Sequence, residues 1–170
     1  MAFDLKSAST AEGTEVENTT TEGALASFTF AANSLQVGKV YLITGSALVV
    51  DSNSTDTLTL RLRFGASAAP ASNTAVAATA AIDSADGDIA AFVAYMTVRD
   101  VGSAGSVVIH GSICQADAEA VGTTPMFGFH QVVTSLDTTA ALNLQYSAEW
   151  SVAHADNEVS ASSFIVAEIV

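Results

Sequence analysis

The side chains able to do chemistry are few and scattered. The three histidines, His110, His130 and His154, include no His-x-His pair, so no strand offers two metal ligands at short spacing. Each is read as a strand histidine held by a hydrogen bond. Asp83, Asp86 and Asp88 surround Gly87 in an oxygen-rich turn, but the calcium-loop pattern with its terminal Glu is missing, so this is a solvated turn. Asp51, Asn53 and Asp56 are read the same way. Serines are abundant, yet none stands in a Gly-x-Ser-x-Gly elbow, and no pair among the 18 acids is singled out for hydrolysis. Cys114 is the only cysteine, which excludes an intrachain disulfide and suggests a small buried apolar residue. Phe127 and Phe129 flank Gly128 and are alternatives for a sugar-stacking platform, although packing under a sheet suits them better. No catalytic residue, metal ligand or cofactor site is therefore assigned, and no enzyme is expected.

The elements that would carry these side chains are strands. Leu142, Leu144, Tyr146, Ala148, Trp150 and Val152 alternate with Asn143, Gln145, Ser147, Glu149 and Ser151, giving one dry and one wet face. Trp150 falls on the dry side with Tyr146 and belongs to the core. Leu58, Leu60, Leu62 and Phe64 repeat the pattern. Strands are expected over 24–30, 40–50, 57–64, 75–82, 89–99, 106–115, 126–136, 140–152 and 159–170, with 75–82 the weakest because its alanines also suit a helix. Turn residues at 51–54 predict a hairpin between 40–50 and 57–64, and 101–105 predict another between 89–99 and 106–115. Residues 116–125 read as a connection. The fold class is all-β: an antiparallel β-sandwich, a jelly roll of eight to nine strands, with a closed barrel as the competing topology. Residues 1–22 form an extended N-terminal arm carrying Phe3, Leu5 and Val16, and residues 23–170 form the jelly-roll domain.

Charge narrows the partners. Five Lys and Arg against 18 Asp and Glu give a formal net charge of -13, which leaves too little basic surface to neutralise a nucleic-acid backbone or bind an anionic membrane. No stretch approaches the length of an apolar membrane helix, and the N-terminus lacks a secretory apolar core, so synthesis in a cytoplasm is expected. Hydrophobic residues make up 49% and charged residues only 14%, an excess that burial between subunits would absorb. Strand 89–99 is apolar on both sides: Ile89, Ala91, Val93 and Tyr95 oppose Phe92, Ala94, Met96 and Val98. Strand 40–50 is similarly two-faced, Tyr41, Ile43, Ala47 and Val49 opposing Val40, Leu42, Leu48 and Val50. A strand dry on both sides needs cover on both sides. Val40, Leu42, Phe92, Met96 and Val98 are the residues expected at a subunit interface.

The stretch from Thr19 to Tyr41, with Thr19-Thr20-Thr21-Glu22, Phe28-Thr29-Phe30-Ala31-Ala32-Asn33-Ser34-Leu35 and Gly38-Lys39-Val40-Tyr41, resembles a recurrent opening in structural proteins of tailed bacteriophages. Asp56–Gly65 is similar to the following strand of that group. The resemblance covers most of residues 19–65 and, by strand order alone, the remainder. It implies a trimeric jelly-roll module on a virion: a capsid decoration or cement protein, or the receptor- or glycan-binding head of a tail fibre or spike. It brings no catalytic residues. The leading expectation is a homotrimeric cement protein made in the host cytoplasm and bound to the major capsid protein on the capsid surface. Its arm, through Phe3, Leu5 and Val16, would reach neighbouring shell subunits. A small hydrolase or cupin-like enzyme is the expectation from a different class.

Overall fold

A computed structural model describes residues 2–9, 11–53, 55–116 and 126–170. Alternation of apolar and polar residues dictates nearly every element. The strands are β1 (Phe3–Ala8), β2 (Glu15–Glu17), β3 (Gly23–Phe30), β4 (Val40–Asp51), β5 (Thr57–Gly65), β6 (Thr74–Ala78), β7 (Ile82–Asp83), β8 (Ile89–Asp100), β9 (Gly105–Ala116), β10 (Met126–Leu136), β11 (Leu142–Trp150) and β12 (Glu158–Ile169). The described residues contain no α-helix, only a 3-10 turn at Pro70–Ser72. The alanine-rich stretch expected as one strand over 75–82 is not helix but two short strands, β6 and β7, that both pair with β5 and are separated by residues 79–81.

Two antiparallel sheets face each other. Sheet A runs β1-β12-β4-β8-β9-β10, with β2 also on β12, and sheet B runs β3-β11-β5-β6, with β7 on β5. The order β1-β12-β4-β8 opposite β3-β11-β5-β6 is that of a jelly roll. The β9–β10 hairpin widens sheet A beyond β8, and β2 and β7 are short additions. The sheets keep separate ends among the described residues, so the sandwich is open and not a barrel. The expected β8–β9 hairpin forms, with Tyr95 opposite His110 and Met96 opposite Ile109. The expected β4–β5 hairpin does not. β4 pairs with β12 and β8 in sheet A, whereas β5 pairs with β11 and β6 in sheet B. The passage from β4 to β5 is a corner between sheets, fixed by buried Asp56, whose carboxylate accepts hydrogen bonds from Asn157 Nδ2 (2.9 Å) and Asn53 Nδ2 (3.3 Å).

One core lies between the sheets. Leu58, Leu60, Leu62 and Phe64 of β5 and Leu142, Leu144, Tyr146, Ala148 and Trp150 of β11 enter it from sheet B. Sheet A supplies Tyr41, Ile43, Ala47 and Val49 of β4 and Phe92, Ala94, Met96 and Val98 of β8. Phe92 bridges the layers, its ring 4.9 Å from Tyr146 and 6.3 Å from Phe164. Gly45 makes room for it, since a Cβ there would come within 2.5 Å of the Phe92 ring. Val152, placed on the dry ladder by alternation, is exposed because β11 ends at Trp150.

The N-terminal segment packs against its own molecule. β1 pairs with β12 from Phe3–Ile169 to Ala8–Ile165, and β2 pairs with β12 through Val16–Val159. Val16 is buried and its carbonyl accepts a hydrogen bond from Trp150 Nε1 at 3.1 Å. Val16 is therefore a core residue and not a contact residue of a free arm. Phe3 and Leu5 remain exposed.

Candidate interaction surface

The two outer faces of the sandwich differ in chemistry. Sheet B turns out Arg61 and Arg63 of β5 and Gln145, Ser147 and Glu149 of β11. These are not simply wet. Gln145 and Ser147 are buried, because the 66–73 loop and Glu22 fold over them. Asn73 Nδ2 donates to Gln145 Oε1 at 2.7 Å, and Gln145 Nε2 donates to the Ala68 carbonyl at 2.8 Å. Glu22, its side chain only 4% exposed, receives Arg63 Nε and Nη2 at 2.9 and 2.6 Å and the Ser147 hydroxyl at 2.6 Å. Arg61 lies 3.5 Å from Glu22 and 2.6 Å from Glu149. Burial pushes the Glu22 carboxyl up, but hydrogen bonds from Arg63 and Ser147 and the charges of both arginines together hold it below the usual carboxylate range. This face is closed by its own hydrogen bonds.

The outer face of sheet A is different. Register places across it the rows Ile169–Val40–Thr97–Val108–Val132, Ala167–Leu42–Tyr95–His110–His130, Ile165–Thr44–Val93–Ser112–Gly128 and Ser163–Ser46–Ala91–Cys114–Met126. None of these residues is Asp, Glu, Lys or Arg. Leu48 and Ile89 extend the face, and Phe3 and Leu5 continue it onto β1. Ile89 is 50% exposed, Tyr95 39% and Val93 37%. Charge lies beyond these rows: Glu15 stands on the row of Ser160, Leu48 and Ile89, and Glu168 is the register partner of core residue Tyr41. Lys6 and Lys39 both pair with Glu168, whose carboxyl is lowered mainly by the hydrogen bonds from Lys39 and Lys6. At the opposite end, burial together with the charges of Glu15, Glu17 and Asp51 raises the Glu158 carboxyl.

The expected interface residues divide between the faces. Val40 and Leu42 lie on the outer face, half-buried. Phe92, Met96 and Val98 do not: at 5%, 0% and 1% exposure they are core residues of one molecule. Alternation identifies two apolar faces on β8 but not which one turns inward. The covering β5 and β11 take the Phe92 side, so Ile89, Ala91, Val93 and Tyr95 face out.

The remaining candidates resolve as follows. Asp86 Oδ1 accepts the Ser52 N–H at 2.8 Å and Asp88 Oδ2 accepts the Ala85 N–H at 3.0 Å, so both carboxylates fasten backbone in this turn. Cys114 is half-buried on the outer face, its thiol 3.4 Å from the Ala91 carbonyl. Phe127 and Phe129 pack against the core from β10. His154 lies in the turn after β11, where its Nδ1 accepts the Asp156 N–H at 3.2 Å. His110 and His130, expected to be strand histidines each held by a hydrogen bond, are direct cross-strand neighbours, and neither imidazole is hydrogen-bonded among the described residues. Residues 117–125, including most of the expected 116–125 connection, lie outside the described residues. A cleft of about 420 Å3 between the N-terminal segment and β3 is lined by Ser7, Ser9, Glu12, Thr14 and Ser27, without a histidine. Glu12 accepts the Ser160 hydroxyl there at 2.6 Å. A second, of about 270 Å3, is lined by Phe28, Phe30, Tyr41, Lys6 and Glu168. Compared with known proteins, the chain matches no family model, no curated sequence and no solved structure.

Proposed function

We propose that this chain is a virion structural protein, a jelly-roll capsid decoration or cement subunit that binds and stabilises a phage shell. The observation that carries the reading is the set of four uncharged rows across the outer face of sheet A on a molecule of net charge -13. An acidic protein that keeps carboxylates off the middle of one broad sheet face is soluble elsewhere and ready to bury that region. The occupant is first a sister copy, in a homotrimer, with Val40, Leu42, Val93 and Tyr95 at the contact. Exposed Phe3 and Leu5 on edge strand β1 then lie at the rim, where the major capsid protein would meet the assembly. Contacts made only in the assembled particle stabilise that state by mass action. No chemistry is needed for this role.

Light scattering coupled to gel filtration and co-sedimentation with capsids test the two layers separately. A mass of three times 17.3 kDa and retention on particles are the expected results. A species of 17.3 kDa at all concentrations overturns the trimer, and absence from particles located by cryo-microscopy overturns the capsid role.

A further inference from the structure

We propose that His110 and His130 form a bidentate site for a first-row transition cation such as Zn2+ or Cu2+ on the outer face of sheet A. The two are direct register partners in the antiparallel β9–β10 pair. Direct partners hold their Cβ atoms about 4.5–5.5 Å apart on the same face, a spacing from which two imidazoles can converge on one ion. Their ring centroids are 6.5 Å apart at an interplanar angle of 29°. Both residues are exposed, and neither imidazole has a hydrogen bond or ion pair among the described residues. Among the described residues their ring nitrogens are thus uncommitted, unlike that of His154. Exposed side chains change rotamer in picoseconds to nanoseconds, so drawing the rings together meets no barrier from packing.

The surroundings fit a small hydrated ion. The neighbouring row holds Ser112 and Gly128, and a Cβ added to Gly128 would meet open space, so room exists beside the pair for coordinated water. On the other side Tyr95 stacks on His110 at 5.7 Å and 25°, limiting how far that ring can tilt away. Two neutral nitrogen donors without a carboxylate suit Cu2+, Ni2+ or Zn2+ and not Ca2+ or Mg2+, which take oxygen ligands. The remaining coordination positions belong to water. One chain supplies both ligands, which share a register row with Leu42 and Tyr95 of the contact proposed above.

The test is titration of the full chain with ZnCl2 and with CuSO4 by calorimetry at pH 7.5, and Cu2+ electron paramagnetic resonance for nitrogen coupling. One ion per chain with two coupled nitrogens is the expected result. His110→Ala and His130→Ala each weaken binding about tenfold or more, as expected when one of two ligands is lost, while His154→Ala leaves it unchanged. Unaltered far-ultraviolet circular dichroism shows that each variant is folded, which the exposed positions favour. Binding that survives in the His110→Ala/His130→Ala double variant, loss of binding in His154→Ala, or no binding by the parent chain overturns the proposal.

Discussion

At the scale of single residues, two glutamates respond to acid with opposite signs. Glu22 is buried and ionised because two arginines and Ser147 hold its carboxylate. Its lowered pKa contributes stability above the ordinary value of 4.5 that is lost as pH falls through the folded value below it. Glu22→Gln should cost about 1–3 kcal/mol at pH 7, the scale of breaking a charged hydrogen-bond set. Urea denaturation should show the gap to the parent closing below pH 4.5. Glu158 is the reverse case, raised by burial and by Glu15, Glu17 and Asp51. It carries a penalty above its folded pKa that is relieved as pH falls through that value. Glu158→Gln should therefore raise the melting temperature at pH 7, with the gain fading as the solution is acidified. Neither role could be read from sequence, because Glu22 meets Arg63 only through strand pairing. The same is true of His110 and His130, whose adjacency depends on the β9–β10 register.

At the scale of elements, alternation located the strands well but was silent on which sheet each joins. An Asx-rich turn between two alternating runs serves equally as a hairpin or as a corner between sheets, and the passage from β4 to β5 is a corner. Its buried Asp56–Asn157 bond spans two distant segments, which no local pattern reveals. The fit of β4 on β8 is testable at Gly45, whose missing Cβ admits the Phe92 ring. Gly45→Ala should destabilise the fold by about 1–3 kcal/mol through overpacking. Phe92→Leu in the same chain should recover part of that loss, and a double-mutant cycle in urea would measure the coupling. Additive effects would separate Gly45 from Phe92. The N-terminal strands offer a second test. Removing residues 1–18 takes away β1, β2, buried Val16 and the acceptor of the Trp150 indole. The truncated chain should lose several degrees of melting temperature, whereas a freely reaching arm would leave it unchanged.

At the scale of the whole molecule, the asymmetry between the outer faces is what composition could foreshadow and only register could place. Low charge content and two-faced strands indicated a second dry surface; the pairing of β4, β8, β9 and β10 shows that it is a continuous one. Sheet B closes its outer side with Glu22, Asn73 and Gln145, so a covering partner adds little there. The four central rows of sheet A have only neutral side chains to offer, and water at Val93, Tyr95 and neighbouring Ile89 is what a sister copy would displace. A charge at the middle of this face separates folding from assembly. Val93 is 37% exposed and points away from the core, so Val93→Asp leaves Phe92, Met96 and Tyr146 undisturbed. In the separated chain its carboxylate is hydrated and costs within about 0.5 kcal/mol, as for other surface substitutions. In the assembly it would be buried without a cation, since the four rows of the face contain none, and an unpaired buried charge costs several kcal/mol. Sedimentation velocity should therefore show the parent as a trimer and Val93→Asp as a single chain with the same urea midpoint once both are compared as monomers. A trimer that tolerates the aspartate would mean that the contact lies elsewhere on the molecule, and Leu42→Asp on the adjoining strand would be expected to fail in the same way.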